Sequence, residues 1–422
     1  MLIEFSVSNF RSIHHRQSLS MVPGTSREVR SRFCHHTDSK AMPHVLKSAA
    51  LFGANGSGKS TIVQALAFMK TFVVDSAREG QEGDLIDVTP FLLGEENNVN
   101  PSEFEIVFIA DGVRYQYGFS ANSDRVHEEW LYVVPATGRM QRWFERRYDE
   151  ETGNVEWYIN PSLRGEKEIW RKSTRNNALF LSSAVQLKGE VFSPIFNWFR
   201  SNLKVIISSQ RLTDNYTASQ CKNSALRARI LSVLEAVDTG IVDFQIDEEE
   251  FDEDSIPDVI TEELRANLIK SMKGQKFYEV RTGRNVPGRG NVYLDIKDES
   301  DGTRVLFALA GPWLDTLDNG YTLVVDELSN SLHPLAFHYL VSLVNNEANS
   351  TGAQLVFTTH DTTVMMAKRL HADQINFVEK NAHFETSIRP LSDFEVRSEE
   401  AIQKGYLGGR YGGLPKIYEE LV

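Results

Sequence analysis

The run Gly53-Ala54-Asn55-Gly56-Ser57-Gly58-Lys59-Ser60-Thr61 constrains this chain more than any other stretch. It is a GxxxxGKS pattern, preceded by the short apolar run Ser48-Ala49-Ala50-Leu51-Phe52 and followed by Ile62-Val63-Gln64-Ala65-Leu66-Ala67-Phe68-Met69, whose apolar spacing is helical. The glycines let the backbone curl until consecutive N–H groups face inward, at the positive end of the following helix, where phosphate oxygens are held. Lys59 supplies a point charge to the β- and γ-phosphates, and the Ser60 hydroxyl is placed to ligate Mg2+. Asn55, Ser57 and Thr61 complete the cradle. A strand, this loop and a helix in succession predict an α/β fold that binds a nucleoside triphosphate.

Two more strand ends carry matching chemistry. Tyr321-Thr322-Leu323-Val324-Val325 runs straight into Asp326-Glu327, which places two carboxylates at the C-terminal edge of a buried parallel strand. Asp326 is expected to hold Mg2+ through its water shell, and Glu327 to orient or deprotonate the attacking water. Gln354-Leu355-Val356-Phe357-Thr358-Thr359 ends in His360. A histidine there is often a satisfied structural residue, but beside the other two ends it can sense the γ-phosphate and polarise the water. That role requires a sheet order that gathers all three.

Composition argues against some alternatives. The net charge of −13 is local, because Asp238 to Glu263 holds twelve acidic residues and no Lys or Arg, leaving about −1 for the rest. Glu263 to Val292 then carries seven Lys/Arg against two Glu. This dipolar insert is either a solvated face or something a partner reads. Apolar runs such as Leu306–Leu314 are too short for the ~20 residues of a bilayer crossing, so no membrane association is expected. The first residues alternate like a strand and resemble no signal peptide. With only Cys34 and Cys221, no disulfide framework arises, and a cytoplasmic location is expected.

The spacing resembles the ATPase head of the ABC type in the version shared by SMC, RecF and OLD proteins. In Asp326-Glu327-Leu328-Ser329-Asn330-Ser331-Leu332-His333-Pro334, Ser331-Leu332-His333 looks like the loop that touches the opposite subunit. Glu299-Ser300-Asp301-Gly302-Thr303-Arg304 resembles the signature motif, whose Ser and second Gly grip the γ-phosphate bound by the other subunit. Ser300 lies 26 residues before Asp326, as an intervening helix and strand require, and would also serve as a helix N-cap. Pro312 is expected to end or kink that helix early. Asn9-Phe10-Arg11-Ser12 looks like the N-terminal loop of these heads, where Arg11 would approach the nucleotide. Leu179 to Gln186 is similar to the strand that ends in the glutamine loop, so Gln186 is the expected third Mg2+ contact, with Gln210 as the alternative.

With the tail Gly405 to Pro415, the pattern resembles the stand-alone ATPases of the AAA_15/AAA_21 group, including the RloA-like (AbiL) proteins and the ATPase of PARIS-type antiphage systems. The resemblance implies ATP with Mg2+, a homo-oligomer built on a head-to-head ATP sandwich dimer, and abortive-infection defence. It further implies a neighbour-encoded effector, a Toprim- or RloB-like nuclease, and DNA or a phage protein as trigger. The alternatives are a RecF/SMC-like repair ATPase that binds DNA and an autonomous enzyme.

The expected organisation has four parts. Residues 1–185 form a first lobe with an antiparallel β-subdomain, and 186–290 a helical lobe carrying the charged insert. Residues 291–395 form a second ATPase lobe, and 396–422 a Gly-rich tail. No stretch sustains heptads, which opposes a long SMC arm. Only 62 residues follow His360, so no Toprim nuclease centre is expected in this sequence. The Asp247–Glu250 cluster lacks the Lys or His of a two-metal site, and Cys34-His35-His36 with His44 lacks zinc-site spacing.

Overall fold

Period-two alternation buries one face of Ser102–Ala110, and this segment pairs with those around it into a seven-stranded antiparallel sheet. Its order is Val155–Ile159, Gln141–Tyr148, Val126–Val134, Val113–Ala121, Ser102–Ala110, Leu2–Ser8, Gln17–Ser20. The structure is a computed structural model. It describes the chain except residues 40–41, 95–99, 136–137, 251–260, 263–264, 266–268, 270–271, 273–275, 367–368, 395–401 and 416–422.

Runs that are apolar on both faces build a second sheet of six strands. Its order is Leu203–Ile206, Thr322–Val325, Gln354–Thr359, Ser48–Phe52, Ile375–Lys380, Thr386–Pro390. The first five are parallel, and the last is antiparallel. The helix Lys59–Asp75 packs on the seven-stranded sheet, with Phe68 5.0 Å from Phe104 and Phe72 5.3 Å from Phe119 between ring centroids. Gln354 ties the sheets together: its buried amide donates to the Leu2 and Leu46 carbonyls, both at 3.0 Å, and accepts from the Leu2 N–H.

The chain divides into two compact units. The first holds Met1–Ser208, Thr316–Ser329 and Phe337–Val422, and the second Ser209–Asp315 and Asn330–Ala336. The boundaries expected at 185/186 and 290/291 therefore move: 186–208 belongs with both large sheets, and 291–315 with the second unit. Leu179–Gln186 is not a strand. Phe180–Gln186 is a helix because the buried Glu129 carboxylate accepts from the Phe180 and Leu181 N–H groups at 2.7 and 3.0 Å.

The second unit begins with helices, including Asn215–Gln220 and Ser224–Glu235, but is not wholly helical. Asp243–Glu250, Lys276–Val286 and Gly290–Asp295 form a three-stranded antiparallel sheet. Acidic residues of the first strand meet basic residues of the second, as in Arg281–Asp247 at 2.8 Å and Lys276–Glu248 at 2.5 Å. Asp247 and Glu248, two of the four residues weighed as a two-metal cluster, are thus engaged within this unit. Part of the acidic segment, 251–260, lies outside the described residues.

Pro312 does not stop its helix, which runs from Asp301 to Asn319. Proline removes the hydrogen bond to the carbonyl four residues back, here that of Ala308. The buried Thr217 hydroxyl donates to that carbonyl at 3.0 Å and accepts from the Gly311 N–H at 3.1 Å. An inserted hydroxyl replaces the missing donor. In the tail, Ile402–Leu407 is helical, and Tyr406 and Tyr411 stack on Phe377 at 4.9 and 5.5 Å.

Candidate functional site

Parallel register decides which residues meet. Thr359 pairs with Phe52 and Phe357 with Val325, so Gly53, His360 and Asp326 leave the same edge of the sheet. The His360 strand lies between the other two, and the expected gathering of three strand ends is realised.

The loop turns through left-handed backbone at Gly56 (φ +73°) and Gly58 (φ +106°), a conformation glycine adopts without strain. A side chain at Gly58 would collide with Thr386, whereas beside Gly56 there is open space. Ser57 Oγ is buried without a hydrogen-bond partner among the described residues. Such an atom is costly to leave unmatched, and a phosphate oxygen is the acceptor this loop is shaped to admit. Lys59 Nζ bends back and donates to the Gly53 and Ala54 carbonyls at 2.8 and 3.0 Å. Burial pushes its pKa down to about 8, against the pull of Asp326 and Glu327. Ser60 and Thr61 begin the helix, while Asn55 is exposed at the loop tip. These residues fit a nucleoside triphosphate and its Mg2+.

Across the edge, Thr358 organises the carboxylates. Its hydroxyl donates to Asp326 Oδ1 at 2.5 Å and accepts from the Glu327 N–H at 2.7 Å. Glu327 has φ +53°, left-handed for a residue with a side chain, the kind of strain that clusters where a group must be aimed. Burial and the nearby Lys59 charge hold His360 below the usual imidazole range, while a bond to the Gly53 backbone and the two carboxylates oppose them. His360 therefore faces the phosphate loop as a predominantly neutral imidazole near pH 7.

The Asn9–Ser12 turn docks on the loop through contacts the motifs did not reveal. Ser12 Oγ lies 2.9 Å from Thr61 Oγ1 and 2.9 Å from Thr386 Oγ1, and the Thr386 hydroxyl donates to the Ser57 carbonyl at 2.9 Å. Arg11, in left-handed backbone, donates to Gln64 Oε1 at 3.0 Å. That holds the guanidinium five residues, or about 7.5 Å of helix rise, from Lys59.

Gln186 is not brought to this edge. Its helix packs at the opposite end of Lys59–Asp75, where Ser182 Oγ donates to the Val73 carbonyl at 2.5 Å, about 20 Å along the axis from Lys59. The strand that runs beside Asp326 is Leu203–Ile206, with the Asp326 N–H donating to the Ile206 carbonyl at 2.9 Å. Gln210, the alternative glutamine, follows that strand by four residues in the chain.

Within the second unit, Ser300 caps its helix, accepting from the Thr303 N–H at 3.2 Å. Gly302 lies against Ser331, whose carbonyl would be 2.5 Å from a Cβ there. A cavity of about 430 Å³ has a lining of mixed charge, with Arg211, Lys297 and Arg304 beside Asp214 and Asp301. His333 accepts from the Leu335 N–H at 3.2 Å and so begins its own helix.

The Cys34–His36 and His44–Leu46 strands form a hairpin, with the His35 ring on the Ala353 carbonyl. Among the described residues that hairpin holds no metal-ligating cluster, and no helix is long and apolar enough to cross a membrane.

A family profile described as "AAA domain, putative AbiEii toxin, Type IV TA system" (AAA_21) matches residues 48–367, three quarters of the chain. No curated protein matches it in sequence. Among solved structures, the chain is similar to an SMC head bound to the C-terminal winged-helix domain of ScpA, with TM-score 0.44 and 14% identity over 92% of this chain and 96% of that one. It is also similar to the SMC head domain from Thermotoga maritima, with TM-score 0.37 and 16% identity over 94% and 99%.

Proposed function

The chain belongs to the AAA_21 family of AAA domains, and from that premise we propose that it is an ATP hydrolase of the ABC type, working in head-to-head pairs to control a defence effector. The observation that carries the hydrolytic reading is one sheet edge bearing the phosphate loop, Asp326-Glu327 and His360.

ATP would lie in the Gly53–Thr61 cradle, with Mg2+ held by Ser60 and, through water, by Asp326. Held by those residues, the ion would supply charge neutralisation to the phosphates. Lys59 leaves the loop carbonyls for phosphate oxygens, and Ser57 gains its missing partner. Glu327, aimed by Thr358, accepts a proton from the attacking water, while neutral His360 positions that water by hydrogen bonding. Fixed dipoles of the loop and Lys59 lower the barrier without reorganising. Ser300 and Gly302 of a second copy would close the site over the γ-phosphate.

A defence role is supported by the family description, which refers to a toxin and a type IV toxin–antitoxin system. On this reading the chain senses infection and restrains a partner, a Toprim- or RloB-like nuclease, until triggered by DNA or a phage protein.

The first test is Glu327→Gln. ATP turnover should fall by about 10²- to 10⁴-fold while ATP binding persists. A variant that hydrolyses at the parent rate removes Glu327 from the chemistry. Purified with its genomic neighbours in ATP, the same variant should retain a protein partner at fixed stoichiometry. Recovery of DNA alone, with turnover stimulated by duplex in a salt-dependent way, favours the repair ATPase.

A further inference from the structure

Three side chains outside the nucleotide chemistry converge beside it. His14 and His15 follow the Asn9–Ser12 turn, and Glu385 closes the turn that begins at Asn381. His14 Nδ1 lies 2.7 Å from Glu385 Oε1, and His15 Nε2 lies 3.8 Å from the same oxygen. One donor atom from each of the three falls within 4.8 Å of the others. The two rings are 4.3 Å apart, and His14 is stacked on Phe91 at 4.8 Å and 17°.

We propose that His14, His15 and Glu385 form a binding site for a transition-metal dication of the Zn2+ type. Two imidazole nitrogens and one carboxylate are the donor set such borderline ions select, whereas Mg2+ and Ca2+ take oxygen. Tetrahedral bonds of 2.0–2.1 Å place neighbouring ligand atoms about 3.4 Å apart. The observed 2.7 and 3.8 Å bracket that value and the remaining pair lies within 4.8 Å, so side-chain movements on the order of an ångström bring the three atoms into place.

The surroundings are those of a metal centre's outer shell. Asn381 Nδ2 donates to the second Glu385 oxygen at 2.6 Å and fixes the carboxylate plane. The ligand segments are pinned by the backbone, with Thr386 N–H donating to the Ser12 carbonyl at 2.8 Å and Asn9 N–H to the His14 carbonyl at 2.9 Å. An ion pair between His14 and Glu385 would need no second histidine. Yet His15, 76% exposed, has its Nε2 turned toward the same oxygen.

The site's effect follows from its attachments. One ligand segment carries Arg11 and Ser12, the other Thr386, and both grip the phosphate loop through Thr61 and Ser57. A bound ion would cross-link them and stiffen that loop, with one coordination position left for water.

The test uses the full chain stripped by chelator, without nucleotide, titrated with Zn2+ by calorimetry and with Co2+ by visible absorption, which reports tetrahedral coordination. One equivalent per chain is expected. Binding should be lost in His15→Ala, an exposed position whose fold is checked by circular dichroism, and weakened about 10- to 100-fold in Asn381→Ala. His36→Ala, on the other histidine-bearing hairpin, should leave the titration unchanged. The proposal is overturned if the parent chain takes up no ion, if His15→Ala binds as tightly, or if His36→Ala removes the binding.

Discussion

Lys59 shows how a single side chain sets a pH dependence. Burial lowers its pKa to about 8 from 10.5, so the folded state favours the neutral amine. Below pH 8 both folded and unfolded chains hold the proton, and the folded one bears the cost of burying it. Between 8 and 10.5 the unfolded chain binds more protons, so this group's contribution to stability rises with pH. Nucleotide binding has the opposite sign, because anionic phosphates favour the charged amine. ATP affinity should fall above pH 8 by up to about tenfold per unit, with proton uptake on binding. Calorimetry from pH 7 to 9.5 in buffers of different ionisation heat measures both, and a flat affinity profile would contradict this account. Lys59, Asp326, Glu327 and His360 were legible in the sequence because each belongs to a short local pattern at a strand end. Thr358 and Thr386 were not. Thr386 reaches Ser57 across 329 positions, and no local pattern marks which threonine will do so.

At the scale of elements, nonlocal groups decided what propensity left open. The apolar run before Gln186 suits a strand or a helix, and the distant Glu129 carboxylate selects the helix by taking its first N–H groups. The Asp243–Glu250 strand hides its alternation under four consecutive acids, which are tolerable beside the basic Lys276–Val286 strand. Pro312 reads as a stop until Thr217 is placed against Ala308. This arrangement predicts that Thr217→Val, nearly isosteric, orphans a buried carbonyl and destabilises the chain by about 1–3 kcal/mol. Urea unfolding should register the loss, and Thr217→Ser should recover most of it. An unchanged midpoint in Thr217→Val would mean that the proline is accommodated in another way.

For the whole molecule, the residues proposed to complete one nucleotide site are divided between compact units, with Lys59 and Glu327 in the first and Ser300 and Gly302 in the second. If pairing supplies the second set from another copy, Lys59→Ala and Ser300→Arg should each be inactive alone and complement when mixed. Random reassortment of a two-fold pair leaves about a quarter of the parent turnover, from mixed pairs with one intact site. A mixture as inactive as its components would oppose the sandwich.

The strand that leads into the phosphate loop has its own temporal consequence. Ser48–Phe52 is flanked by Gln354–Thr359 and Ile375–Lys380, so both of its neighbours are synthesised some 300 residues after it. At ribosomal rates of roughly 5–20 residues per second, that interval is some tens of seconds. The antiparallel sheet, complete by Ile159, can assemble early and shelter the phosphate-loop helix against Phe104 and Phe119. The loop strand itself waits with both edges unpaired. A nascent chain of this protein therefore cannot complete its phosphate-loop sheet until Ile375–Lys380 has been made, however well its early half folds.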